Sequence, residues 1–381
     1  MNRYHDEEQK SNRWIGCPLE VEYFGEDRKS VKMDRKKALA KDRSKYKKTD
    51  RAKVSKHEIH KDKNKDFSRG RVISITPQGI LVAFEGMEFV CSLRGVLKKE
   101  KSQYKNLVTV GDFVLFEKNT EDEGLIVQVE PRQSVLSRAD NLSRRKEQLI
   151  AANIDLVLIT VSVVEPALKP FLVDRYIIAA EKGGMTPIII VNKIDLLEEN
   201  NKNPVTEQER TLYQDFLDAY EVAEIPVIPI SSITGEGMDL LREVMRDKAS
   251  VFSGQSGVGK SSLINAVTGF DLRTGSIVEK TKKGTHTTTT ANLLALPFGG
   301  WCIDTPGIKS FGVWDLKSEE VESYFPEIHA CGNACKYQSC THTHEEECAV
   351  KDAVESGKVA LLRYQSYLFL MDSVGREHMR R

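Results

Sequence analysis

Gly254, Gly259, Lys260 and Ser261 keep the spacing G-x-x-x-x-G-K-[ST] inside the stretch GQSGVGKSS. A chain of this pattern can hold phosphate. Its glycines let the backbone curl so that successive N–H groups point at phosphate oxygens, and the helix that follows adds positive potential at its N-terminus. Lys260 is expected on the β- and γ-phosphates, where it also serves catalysis, and the Ser261 hydroxyl on Mg²⁺. Gln255, Ser256, Gly257, Val258 and Ser262 complete the expected phosphate contacts. The flanks fit, with ASVF reading as a strand and KSSLINAVTG as a helix.

A second group of residues completes a nucleotide-hydrolysing set. The segment DTPG ends an apolar strand, WCI, and begins 43 residues after Ser261 at Asp304. Asp304 is placed to hold Mg²⁺ through water, and the Gly307 N–H to reach the γ-phosphate. Between these motifs, KTKKGTHTTTT occupies the place of a first switch, and one threonine of 287–289, Thr288 by preference, is expected to complete the Mg²⁺ shell. Ile308 follows DTPG and cannot orient a water molecule as a glutamine would. Slow intrinsic hydrolysis is therefore expected, with His286 the candidate to orient the water.

Base recognition is assigned to NKID at 192–195 and SSITGEG at 231–237. Asp195 can accept from guanine N1–H and N2–H₂, and adenine offers no matching donors there. A carboxylate left unpaired in a closed site is costly, so one Asp enforces a strong preference. Lys193 is expected along the base face, Asn192 as a tie to the phosphate loop, Ile194 between them, and Ser231 and Ser232 where backbone N–H groups approach guanine O6. The order along the chain is base, base, phosphate, switch, switch, so the domain is circularly permuted. A parallel sheet tolerates this, because ligands collect at the carboxyl ends of its strands whatever their order.

Cys335, Cys340, His342 and Cys348 give C-x₄-C-x-H-x₅-C. Three thiolates and one imidazole suit tetrahedral Zn²⁺ with no open position, hence one structural zinc. Cys331 and His344 compete for ligand places. The odd total of seven cysteines, four of them within eighteen residues, argues for metal in a reducing compartment rather than disulfides.

The elements that must carry these groups follow from pattern. Residues 28–69 hold 18 Lys and Arg against 6 Asp and Glu, although the 381-residue chain is neutral. Residues 1–67 are too poor in apolar groups to offset the entropy of ordering, and a basic extension that is disordered or forms a helix only on binding is expected. From 68 to 140 short alternating segments such as RVISITPQGILVAFEGMEFVCSL predict a small β-barrel, an OB-fold. From 141 to 311 strand and helix patterns alternate, which predicts an α/β P-loop domain with a mostly parallel sheet. From 312 to 381 the chain reads as helical around the Cys/His cluster. No apolar run approaches a membrane span and no apolar leader opens the sequence, so a soluble, cytoplasmic, monomeric protein is expected.

These motifs together, with VLSRAD, NKIDLL, DTPGIKSFGVW and the Cys/His spacing, resemble the RsgA family of circularly permuted GTPases over about residues 68–375. The resemblance implies an OB-fold, a permuted GTPase domain and a zinc-binding domain. It implies GTP hydrolysis stimulated by the small ribosomal subunit, late maturation of that subunit, and release coupled to hydrolysis. It also implies a catalytic role for the first-switch histidine, here His286. An rRNA partner agrees with the barrel's class and with the basic extension, which would attract phosphates in a salt-sensitive way. Two other functions compete: an RNA-binding assembly module whose nucleotide site is mainly structural, and a permuted GTPase of large-subunit assembly.

Overall fold

The computed structural model describes residues 67–95, 107–139, 147–198, 205–269, 291–304 and 316–379. The basic extension up to residue 66, together with His286, Thr288, Gly307 and Ile308, lies outside the described residues.

Alternation builds the first unit. Strands β1 (Ser68–Thr76), β2 (Gly79–Phe84), β3 (Met87–Leu93), β4 (Phe113–Lys118) and β5 (Glu123–Val129) close into a barrel in the order β1-β2-β3-β5-β4. Every second side chain points inward, so Val72, Val82, Phe89, Val114, Phe116 and Ile126 fill the barrel. Pairing is antiparallel except between β3 and β5, whose parallel contact closes the ring. Strands β6 (Val135–Ala139) and β7 (Glu147–Ala152) then pair antiparallel across the expected 140/141 boundary. Leu136 and Ala151 of this hairpin join the core of the next unit.

That unit alternates β8 (Leu156–Ser162), α1 (Pro170–Lys182), β9 (Thr186–Asn192), α2 (Glu207–Val222), β10 (Val227–Pro229), α3 (Met238–Met245), β11 (Ala249–Ser253) and α4 (Lys260–Thr268). Strands β12 (Asn292–Ala295) and β13 (Trp301–Asp304) follow. The sheet order is β10-β9-β8-β11-β13-β12, parallel apart from the antiparallel edge strand β12. All seven residues of β8 are buried, because helices cover both faces. Its side chains divide with period two. Val157, Ile159 and Val161 pack with Val173, Ile177 and Phe216, whereas Leu156 and Leu158 pack with Leu241, Met245 and Leu263. Pattern sets the helix starts as well: Pro170 opens α1, and Thr206 forms a capping box with Glu209 before α2. The expected strand IPVIPISS shortens to three residues in β10, since Pro229 can donate no ladder hydrogen bond and sits at the sheet's edge.

The last unit contains α5 (Ser318–Val321), a 3₁₀ turn Glu322–Tyr324, α6 (Pro326–Gly332), α7 (Ala349–Glu355) and α8 (Leu361–Met379). Val321, Phe325, Ile328, Val350, Val359, Tyr367 and Leu370 form its core, which Ile178 of α1 completes. A buried charge network fastens this unit to the sheet domain. Arg363 on α8, 1% exposed, pairs with Asp174 of α1 and donates to Glu327 Oε1 of α6 at 2.7 Å. Its guanidinium lies 4.3 Å from the Phe325 ring centroid, and Tyr220 Oη of α2 donates to Asp174 at 2.8 Å. Burial pushes the Asp174 carboxyl up, against the pull of Arg363.

Removing one partner from such a network leaves a buried charge uncompensated, at a cost of about 3–5 kcal/mol. Arg363→Ala is expected to lower urea stability of the metal-loaded protein by that amount. Lys336→Ala, which breaks an exposed pair with Glu347, should cost under about 1 kcal/mol. Equal effects of the two changes would refute the docking role of Arg363.

Candidate nucleotide and metal sites

Strands β8 and β11 are neighbours, and the chain leaves them toward opposite edges of the sheet. Their carboxyl ends therefore flank the crevice where α/β sheets collect ligands. The phosphate loop leaves β11 there. Gly254 has φ 130°, and a Cβ on it would lie 2.0 Å from the Thr160 carbonyl oxygen. Gly259 has φ 95°, and a Cβ on it would lie 2.3 Å from Asn192 Nδ2. Both positions demand glycine, for backbone sign and for space. Lys260 opens α4 and folds back over the loop, its Nζ donating to the carbonyls of Gly254 and Gln255 at 2.6 Å each. Ser256, Gly257 and Ser261 are exposed on the loop and the first turn of α4, while Gly254 and Val258 are buried beneath them.

The base-reading residues meet this loop directly. Asn192, fully buried at the end of β9, donates from Nδ2 to the Val258 carbonyl at 2.9 Å and accepts at Oδ1 from the Ser232 N–H at 3.1 Å. One amide thus ties three loops together. Ser231 is also fully buried. Its hydroxyl donates to Asp195 Oδ1 at 2.6 Å and accepts from the N–H groups of Ile233 and Thr234 at 3.2 and 3.1 Å. A carboxylate has two acceptor oxygens, so Asp195 Oδ2 is left for a ligand's donor. Asp195 and Ile194 lie in the 3₁₀ turn Ile194–Leu197 just beyond β9. Lys193 stands in the left-handed region at φ 68°, and its Nζ donates to the Glu165 carbonyl at 2.5 Å. Ser262 lies in the first turn of α4, and Asp304 is the last residue of β13, beside β11.

Sequence reasoning passed over the loop after β8. Ser162 Oγ donates to the Pro166 carbonyl at 2.8 Å, and Pro166 Cδ would lie 3.6 Å from a Cβ on Gly257. This loop therefore abuts the phosphate loop and anchors Lys193. No motif marks it; the available signal was its position at the end of a wholly apolar strand.

The Cys/His cluster gathers on the knuckle between α6 and α7. The candidate ligand atoms of Cys335, Cys340, His342 and Cys348 all lie within 4.8 Å of one another. Two S···S separations are 3.8 Å, and His342 Nδ1 stands 3.5 and 3.4 Å from the sulfurs of Cys335 and Cys348. A tetrahedron with metal–sulfur bonds of about 2.3 Å has edges of about 3.8 Å. The donor set thus fits one metal ion. Cys331 and His344 are not in the cluster; His344 Nδ1 instead meets Thr343 Oγ1 at 2.9 Å.

The knuckle is held from outside by residues with no ligand spacing. Glu345 accepts from the N–H groups of Thr341, Thr343 and His344 at 2.7, 3.0 and 3.2 Å. Burial alone would raise its carboxyl, but these bonds hold it down at about 2. Its contribution to stability is present above the ordinary carboxylate range and is lost as pH falls toward 2. Tyr364 and Tyr367 of α8 donate to the carbonyls of His342 and Thr341 at 2.7 and 3.0 Å.

The RsgA GTPase family profile matches residues 129–314. Small ribosomal subunit biogenesis GTPase RsgA of Chlorobaculum parvum is 42% identical over 283 residues, 72% of this chain and 88% of that protein. The protein of the same name from Chlorobaculum tepidum is 39% identical, covering 81% of this chain and 99% of that one. Among solved structures, YjeQ from Thermotoga maritima is similar at 30% identity with a TM-score of 0.65, covering 81% of this chain and 99% of that one. YloQ, described as a circularly permuted GTPase, is similar at 27% identity with a TM-score of 0.63, covering 82% and 96%. Among the described residues no helix is long and apolar enough to cross a membrane.

Proposed function

The chain belongs to the RsgA GTPase family, and from that premise we propose that this GTP-hydrolysing enzyme binds the small ribosomal subunit, assists its late maturation and is released as GTP is hydrolysed. The GTP site is carried by the Asn192 amide, which joins base loop and phosphate loop although the two occur in permuted order; the small-subunit role is supported by the relatives of that name at 42% and 39% identity.

In this proposal Asp195, Lys193, Ile194, Ser231 and Ser232 hold the guanine, and the loop from Gly254 to Ser262 holds the phosphates. Gly307 faces the γ-phosphate, and His286 orients the attacking water. Ser261, Asp304 and Thr288 would hold Mg²⁺, which would supply positive charge against the negative charge that develops on the phosphates. Cys335, Cys340, His342 and Cys348 would hold one structural zinc. The partner surface is rRNA of the small subunit, and the protein acts as a cytoplasmic monomer.

The test is GTP turnover with and without purified small subunits, with large subunits as the parallel arm. Stimulation by small subunits alone is expected. Stimulation only by large subunits, or by neither, would overturn the proposal. Base choice gives a separate check. Asp195→Asn removes charge-assisted hydrogen bonds worth about 1.5–3 kcal/mol, so GTP affinity should fall roughly 10–100-fold and the preference over ATP should narrow. Unchanged GTP affinity in this variant, measured by titration, would contradict the assignment.

A further inference from the structure

We infer that Glu322 is a positioning residue for the metal centre: its carboxylate fixes His342 as an Nδ1 ligand by accepting from the ring's other nitrogen. This rests on the proposal that the cluster is a zinc site. His342 turns Nδ1 toward the sulfurs of Cys335 and Cys348 at 3.5 and 3.4 Å. A neutral imidazole that ligates through Nδ1 carries its proton on Nε2. That nitrogen is buried and has no hydrogen-bond partner, in a side chain only 2% exposed. A buried donor of this kind needs an acceptor.

Glu322 is in place to supply one. Its Oε2 stands 3.6 Å from His342 Nε2, a few tenths of an ångström beyond hydrogen-bond reach. Its other oxygen is held from the far side by His329 Nδ1 at 2.9 Å, so the carboxylate is already aimed. Gly332 keeps the approach open. A Cβ there would lie 3.0 Å from both Glu322 Oε1 and His342 Nε2, and would crowd the two groups. A carboxylate behind a metal-bound histidine orients the ring and raises its basicity, and removing such a partner typically weakens metal binding 10–100-fold. Glu322 lies in the 3₁₀ turn between β13 and the first cysteine ligand.

The test uses the full-length protein and zinc itself, titrated against a chromophoric chelator of known affinity. Wild type, Glu322→Ala, Glu322→Gln and the exposed control Glu355→Gln are compared. Glu322→Ala is expected to weaken zinc binding about 10–100-fold. Glu322→Gln, whose amide oxygen still accepts, should recover much of that loss, and Glu355→Gln should match wild type. Nitrogen-15 spectra of the imidazoles should show His342 bonded to zinc through Nδ1, with an Nε2 proton slow to exchange in wild type and fast in Glu322→Ala. Wild-type zinc affinity in Glu322→Ala, or ligation of His342 through Nε2, would overturn the inference. A wild-type protein that binds no zinc would instead overturn the zinc proposal beneath it.

Discussion

Lys260→Ala is expected to lower GTP turnover by about 10²–10³-fold, the loss seen when one pre-set charge-stabilising donor is deleted from an active site. The fold should survive. Lys260 opens α4 and its Nζ donates to two carbonyls of its own loop, Gly254 and Gln255; the neighbouring core of Leu263, Ile264 and Val267 is apolar. Those carbonyl contacts already hold the ammonium against the loop, where β- and γ-oxygens are expected to arrive. Deleting it removes the one positively charged side chain of the loop but leaves the backbone N–H groups. Binding should therefore weaken less than turnover. Steady-state hydrolysis at saturating GTP, set beside the unfolding midpoint, checks this. An unchanged kcat would remove Lys260 from the catalytic set.

Stripping the metal should have the largest structural effect. On the scale of zinc-finger peptides a four-ligand site supplies about 10–16 kcal/mol of folding free energy. Beyond the hydrogen bonds of Glu345, Tyr364 and Tyr367, the knuckle from Cys335 to Cys348 has little apolar packing to hold it. Its own apolar contribution to the core is Cys348, with Cys335 and Cys340 packed at the edge. Without metal, three thiols and an imidazole would be left crowded within 4.8 Å. Chelation is expected to open the knuckle, free Tyr364 and Tyr367 from the carbonyls they cap, and expose α6 and α7 to protease. The sheet domain should stay protected, because its two cores are built mainly from β8 to β13 and their helices and draw nothing from the knuckle. Limited proteolysis with and without chelator checks this, and zinc added back should restore protection. An unaltered cleavage pattern in protein shown to be metal-free would refute a structural role for the cluster.

Much of this was legible in the sequence because it is local. The phosphate loop declares itself through glycine spacing between a strand and a helix. The metal cluster declares itself because four soft ligands within a short span have few other uses. The permuted order needed only the sequence order of two loops. What escaped was set by contacts between distant residues. The parallel β3–β5 pair that closes the barrel has no local signature, and the hairpin β6–β7 crosses the boundary that a change of texture suggested. Arg363 and Asp174 meet across 189 positions, and each alone reads as an ordinary helix-surface charge. Pro166 and Glu322 are invisible for the same reason: each acts only through a neighbour the fold supplies.

The central claim is that two loops in permuted order close around one guanine nucleotide. Calorimetric titration of the zinc-replete protein with GDP, and with ADP in parallel, tests it most directly. One GDP per chain should bind with clear heat, binding should weaken in Asp195→Asn, and ADP should give little heat. Equal heats for GDP and ADP, or none with either, would contradict it.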